Sequence, residues 1–469
     1  MDSNIIEKSI KSPRQVRLSR CYRIFLFFIM INIESIMNVS SGIFSSATKE
    51  IKSQLKISDT QFGSFGTANS IGRIVSSILF GMYNQKISRK WSTAIYVIFH
   101  SIFLFCFKIT DNTNILIFFR GLLGFTQIAP SVYVPVWINQ FGISNYKTVQ
   151  ITSIQFFQTT GKLLGHLINL LLGPENWQNG FIMEGIYLLF LAFCCIFSSE
   201  DYFSRTLFQK NIDEETAKRI SCTIYEEHLE EQEILNEKNE SNKKTNNYCS
   251  DLTILLSDPL YVLCLISRCI IHGVNTCLHY WFSDFMRTVI KEKQYKVTLF
   301  YSVICFSGPL GAIIFNSRLK NIIGGYESRN ASWPIVILQF IASIFAISIG
   351  LMKTSISISI ITALFLIFNS SVLPLIQGIL ISCVDKKLSA TGFAFASTCT
   401  QLLTAGTTPM IYGIINDKFI DKYPWLAMVS MMSIHLLAVP LLIFWAILRN
   451  KKFDEKEKRK EQNEELKEM

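Results

Sequence analysis

The chain has 469 residues; 49% are apolar, only 17% are charged, and the formal net charge is +10. Soluble chains of this length carry about a quarter charged residues, so the composition excludes an ordinary soluble globular protein. The twelve cysteines are scattered, mostly inside apolar runs and without paired ligand spacing, so they read as packing residues and not as disulfides or a metal site.

The first 21 residues are polar and basic, and Arg14, Arg17, Arg20 and Arg23 crowd the first apolar run. That run is long enough to span a membrane, so no cleavable leader is expected. A bilayer core about 30 Å thick needs roughly 20 apolar helical residues. Windows of that kind predict spans at 22–46, 62–83, 91–108, 115–139, 150–172, 179–198, 259–283, 296–316, 332–352, 355–381, 389–414 and 425–448. The expected fold is therefore an all-α polytopic membrane protein of twelve helices in two six-helix bundles, 22–198 and 259–448. A charged linker (199–258) joins them, and a basic segment (1–21) and a charged tail (449–469) flank them. The span at 389–414 is rich in Thr, Ser and Gly, as suits a helix facing other helices or a cavity.

Lys and Arg are more numerous on the side of the N-terminus: Lys86, Arg89 and Lys90 follow span 2, and Arg449, Lys451 and Lys452 follow span 12. By the positive-inside rule both termini and the linker are expected to be cytosolic. The Glu-rich stretch Asp213 to Glu240 reads as a solvated linker with a short surface helix, with a regulatory docking site as the other reading.

Ionisable groups at bilayer depth are costly and are candidates for function. The clear cases are Glu34, Arg73, Arg120, Lys162 and Arg268, with Glu184, His100, His166, His272 and His279 less certain in depth. Arg268, His272, Asn275 and His279 recur at i, i+4, i+7 and i+11 and share one helix face, as do Gln155, Thr159, Lys162, His166 and Asn169 on span 5. Glu34, Asn38, Ser41 and Ser45 line up on span 1, and Arg120, Gly124, Gln127 and Ser131 on span 4. Four such faces can enclose a wet cavity. Arg73 pairs with either Glu34 or backbone carbonyls, while His100 and His435 read as structural and Asn38 and Asn369 as glue between helices.

After span 2 comes Gly81-Met-Tyr-Asn-Gln85-Lys86-Ile-Ser88-Arg89-Lys90, with an echo after span 8 in Asn321-Ile-Ile-Gly324-Gly325-Tyr326. Span 4 opens Arg120-Gly121-Leu-Leu-Gly124, span 5 carries Gly161-x-x-x-Gly165 and span 11 carries Gly406-x-x-Pro409-x-x-x-Gly413. In order and spacing these resemble the major facilitator superfamily, and the first half is most similar to its Spinster-like lipid and lysolipid carriers. The sequence is a divergent example. Gln85 and Asn321 stand where the loop signature has an acid, Ser88 where it has Gly, and Gln127 where Spinster-like carriers have Glu. Without the acids only neutral hydrogen bonds can latch that end, so the two access states should lie closer in energy.

The resemblance implies a secondary transporter working by alternating access. It assigns Glu34, Arg120, Gln127, Arg268, His272, Asn275, Asn369 and Gln377 to the substrate pathway, with Lys162 facing it from span 5. The excess of positive charge favours a small organic solute bearing an anionic group, anionic or zwitterionic overall, because Arg grips carboxylate or phosphate through paired hydrogen bonds and Lys offers a point charge. Proton coupling through Glu34, with His272 as relay, and uniport both fit. No cofactor, metal or nucleic acid is expected, the partners being the solute and the lipid bilayer around a monomer. The host membrane is left between the plasma and endolysosomal membranes. A non-transporting sensor or scaffold signalling through 199–258 is the alternative. Paired carboxylates, a nucleophile motif and a phosphate loop with Lys are missing, which argues against an enzyme or a nucleotide-driven pump.

Overall fold

The computed structural model describes residues 20–83, 88–141, 147–199, 203, 248–323, 328–384 and 388–468. Each of the twelve expected spans is a helix. The first is broken into α1 (Arg20–Ile36) and α2 (Val39–Ser46), and the short α3 (Thr48–Leu55) follows it. Spans 2 to 6 are α4 (Asp59–Tyr83), α5 (Arg89–Cys106), α6 (Thr113–Phe141), α7 (Lys147–Leu172) and α8 (Trp177–Phe197). In the second half α9 (Tyr248–Ser257) precedes spans 7 to 10: α10 (Pro259–Thr288), α11 (Gln294–Ile323), α12 (Ser332–Ser348) and α13 (Ser355–Ser382). Span 11 is α14 (Ser389–Thr400), one π turn (Gln401–Ala405) and α15 (Thr408–Phe419). Span 12 is α16 (Leu426–Ile434), a 3-10 turn and α17 (Ala438–Glu468).

The charged tail at 449–469 continues the helix of span 12: α17 runs on to Glu468, and its Lys- and Glu-rich turns are good helix formers. The linker ends in a helix, α9, while the stretch Asp213 to Glu240 lies outside the described residues.

Among the described residues, eight spans are long and apolar enough to cross a membrane by composition alone. Spans 2, 3, 5 and 11 fall short of that measure. Span 3 starts on Arg89 and Lys90. The other three pack against the opposite half of the molecule or line the central cavity, where polar and small residues are tolerated. Outward, large apolar side chains such as Phe28, Phe118, Phe193, Ile337 and Phe340 are about half exposed or more, as a lipid-facing belt requires.

The two halves repeat one packing scheme. Span 2 packs on span 4 as span 8 does on span 10, and span 3 packs on span 6 as span 9 does on span 12. Close approach depends on glycine. A Cβ on Gly42 would lie 1.9 Å from the Lys162 carbonyl oxygen, and one on Gly161 1.8 Å from that of Ser35. This contact seats α2 against α7 and fixes where Lys162 emerges.

At the near end, which carries the start of α1 and the extension of α17, the Ser199 amide donates to the Tyr22 hydroxyl (3.0 Å), and Arg329 pairs with Asp454 (2.8 Å). The opposite, far end carries α3.

Candidate functional site

A cavity of about 500 Å³ lies between the halves. The expected stripe on α10 is one of its walls: Arg268, His272, Asn275 and His279 all line it, joined by Tyr280. From the first half come Asn38 and Ser41 on span 1, Arg73 on α4, Arg120 and Ser131 on α6, and Gln158, Thr159 and Lys162 on α7. Gln377 lines it from α13, about one turn after Pro374, which lies inside the helix and also lines the cavity.

The other expected residues stand behind this wall. Glu34 is buried. It accepts hydrogen bonds from Ser131 Oγ (2.7 Å) and Gln158 Nε2, with Arg73 within electrostatic reach. Arg73 itself bonds to Gln127, with Glu34 as its electrostatic neighbour. Gln127 has a constructive role. Its Oε1 accepts from Arg73 Nη2 (2.8 Å) and Nε (3.1 Å), and its Nε2 donates to the Met37 carbonyl (2.6 Å). Met37 lies at the break between α1 and α2, where a carbonyl loses its helical partner and needs a donor. An amide both donates and accepts, whereas an ionised carboxylate only accepts. That is a physical reason for Gln at this position.

Arg120 is held by the hydroxyls of Ser41 (3.1 Å) and Ser40 (3.4 Å), with its guanidinium over the Phe44 ring (4.6 Å to the centroid). Behind it lies Glu184, completely buried, within electrostatic reach of Arg120 and 3.8 Å from His100 Nε2. His100 Nδ1 contacts Thr126 Oγ1 at 2.7 Å.

Lys162 and Arg268 differ from these. Among the described residues neither has a carboxylate within ion-pair distance, and Arg268 Nη1 is buried without a hydrogen-bond partner. His272 lies within electrostatic reach of Lys162, Arg268 and Arg73, and its Nδ1 contacts Thr404 Oγ1 (3.2 Å).

Asn369 does not line the cavity. It is fully buried and its Oδ1 contacts His435 Nε2 (2.9 Å) in a knot with Gln339 and Ser343, as its reading as glue between helices expects, and away from the cavity wall where the resemblance put it. His166 also lies off the cavity. It stacks on Tyr301 of the other half (3.8 Å, 15°) and contacts Ser45 Oγ (2.9 Å). Of the loop signature, Gln85, Lys86, Gly324 and Gly325 lie outside the described residues, and the side chain of Asn321 is likewise not described. Gly81 lies in the last turn of α4, and Arg89 and Lys90 open α5. The side chain of Gln155 is not described either.

Inter-half hydrogen bonds and ion pairs cluster at the far end. Lys52 of α3 bridges Asp59 of its own half (2.5 Å) and the buried Asp284 of α10 (3.1 Å). The Asp417 carboxylate of α15 caps α4, accepting from the amides of Asp59 and Thr60 (both 2.8 Å) and from Thr60 Oγ1 (2.6 Å). Asn416 donates to Asp59 Oδ2 (2.8 Å), and Arg287 pairs with Glu50. Gly63 and Gly413 admit this contact; a Cβ on either would meet backbone of the other half, Pro409 O at 2.7 Å or Asp59 O at 2.4 Å. Burial alone would depress the Lys52 ammonium, but Asp284 and Asp59 outweigh it and hold Lys52 above its usual range.

Chain reading missed the far-end latch, because Lys52 and Asp59 lie in a polar stretch between spans and Asp284 at the end of one. Gln158 could have been found: it is four residues before Lys162, on the same helix face.

Membrane-spanning helices in two similar halves, closed at one end around a polar cavity, define a polytopic membrane carrier. The chain belongs to the Major Facilitator Superfamily, whose model matches residues 26–409. By that family it is a transporter and not an enzyme.

A bacterial homologue of the human lysosomal transporter Spinster, solved inward-facing and unoccupied, is similar to it at 14% identity over 93% of this chain and 98% of that one, with a TM-score of 0.68. A D-xylose–proton symporter is similar at 13% identity over 90% and 97%, TM-score 0.65, and the nucleoside transporter NupG at 10% over 91% and 99%, TM-score 0.60. These likenesses establish the fold. Among curated proteins, "Putative metabolite transport protein YwtG" of Bacillus subtilis (strain 168) is 23% identical over 203 residues, covering 42% of this chain. The match spans 43% of that protein's length.

Proposed function

We propose that the protein carries a small organic anion across its membrane by rocking of the two halves about the central cavity. The observation that carries this reading is the pair Lys162 and Arg268, one from each half, lining the cavity without a carboxylate partner among the described residues. Two uncompensated cations in a cavity with protein walls attract anions strongly. Arg120, His272, Asn275 and Gln377 supply further donors on the walls. The far-end contacts support a resting state open toward the near end, and the inward-facing Spinster homologue has the same fold. With both termini cytosolic, that state faces the cytosol. Glu34, with Gln158, Ser131 and Arg73 around it, is the carboxylate available for proton coupling, and His272 stands on the opposite wall as its relay.

The test is uptake by purified protein in proteoliposomes, over a panel of organic acids, phosphomonoesters and lysolipids, with Arg268→Ala as control. Uptake of an anionic solute that Arg268→Ala lowers by about tenfold or more, equivalent to about 1.4 kcal/mol, supports the reading. Absence of flux for every anionic solute favours the sensor or scaffold instead.

A further inference from the structure

The balance of charge around the cavity is uneven. Four cations line it: Arg73, Arg120, Lys162 and Arg268. Two are compensated inside the first half. Arg73 has Glu34 within electrostatic reach and Gln127 bonded to it, and Arg120 has Glu184 behind it and two serine hydroxyls holding it. Lys162 and Arg268 are left, on α7 and α10, one on each moving half.

We infer that the carrier's solute is an organic dianion and that the carrier works as an exchanger, because Lys162 and Arg268 oppose closure of the empty site. This rests on the anion-carrier reading above. In the present state the far end is closed and the cavity reaches toward the near end as far as Gln377. To present the site on the other side, the near ends of the halves must close around Lys162 and Arg268. Closure expels water, lowers the effective dielectric constant and strengthens the repulsion between like charges. Without a ligand, two unpaired cations on opposing bodies are driven into one dry space. A dianion cancels both charges, one for each half, and that closure becomes permitted. The same condition holds for the return, so one dianion leaves as another enters. A monoanion would leave one cation uncovered and promote closure less.

The experiment uses the full chain in proteoliposomes, with potassium and valinomycin on both sides so that net movement of charge is not self-limiting. Vesicles are loaded with succinate or glycerol 3-phosphate, or contain only a zwitterionic buffer. Tracer uptake of the two dianions and of lactate is then followed. The expected result is dianion uptake at least about tenfold faster into dianion-loaded than into empty vesicles, with lactate slow in both. The faster of the two dianions identifies whether carboxylates or a phosphate satisfy the pair. Lys162→Gln should bring loaded and empty rates to within about twofold of each other, while Lys162→Arg keeps the preference. Where Lys162→Gln is inactive, Arg268→Gln makes the same test.

Equal wild-type rates into loaded and empty vesicles would overturn the exchange inference and leave anion transport standing. Lactate moving as fast as the dianions would overturn the assignment of two charges. A charge-removing variant that transports and keeps the tenfold preference would overturn the role given to the pair. No movement of any of the three anions would overturn the anion-carrier reading, and the exchanger with it.

Discussion

Gln127 illustrates how one side chain can hold both a charge and a broken backbone. Gln127→Met keeps the volume and removes all three side-chain bonds, leaving the Met37 carbonyl without its donor and Arg73 with one partner fewer. Leaving a buried acceptor unpaired costs about 1–3 kcal/mol, so a lower apparent Tm in a thermal melt of the purified protein is expected; an unchanged Tm would mean that water replaces the amide.

Asp417 is the residue-scale element of the latch. Although burial alone would raise it, the hydrogen bonds from Thr60 and the Asp59 amide prevail and hold its carboxyl below the usual Asp range. A depressed carboxylate contributes stability that is fully present above its unfolded value, about 3.9, and that is lost as pH falls through the lower folded value. Hydrogen exchange in the first turn of α4 should therefore stay slow from neutral pH down to about pH 5. Asp417→Ala should accelerate it at neutral pH, by the roughly 1–2 kcal/mol that a lost helix cap costs.

At the scale of elements, span 1 and α7 meet backbone to backbone. Gly42→Ala would place a methyl 1.9 Å from the Lys162 carbonyl oxygen. The helices must separate, at about 1–3 kcal/mol for overpacking, and Lys162 moves with them. Transport should fall more than protein yield does, as uptake normalised to folded protein would reveal. Chain reading located these elements well. The apolar runs, the stripe from Arg268 to His279 and the Gly161-x-x-x-Gly165 segment all lie where expected, because helical period and bilayer thickness act locally. For Asn369 it gave two answers, glue between helices from the residue and a pathway place beside Gln377 from the resemblance. Both are polar residues inside span 10, yet one is bonded to His435 in the packing between helices and the other lines the cavity. Rotation of a helix about its axis is set by its neighbours.

At the scale of the whole molecule, Lys52 joins the halves by holding two carboxylates that would otherwise face each other. Lys52→Met leaves Asp59 and Asp284 uncompensated at a mostly buried contact. Breaking such a pair costs about 3–5 kcal/mol, which should shift the population toward opening at the far end. Cys305 lines the cavity and reports this. In oriented vesicles containing protein whose other reactive cysteines are replaced, a membrane-impermeant thiol reagent should label Cys305 of the Lys52→Met protein faster from the far side than it labels the parent. Equal rates would show that the latch does not limit opening.

Local hydropathy and one helical period are enough to predict twelve spans and the helices that bear charge, because the bilayer sorts side chains by polarity; the carrier follows from the family resemblance. Which charges are compensated depends on the packing. Glu184 stands behind Arg120 and Glu34 beside Arg73, each across tens of residues of chain, while Lys162 and Arg268 stand on opposite halves without such partners among the described residues. Compensation depends on distance through space, and in a helical bundle that distance is set by how the helices pack.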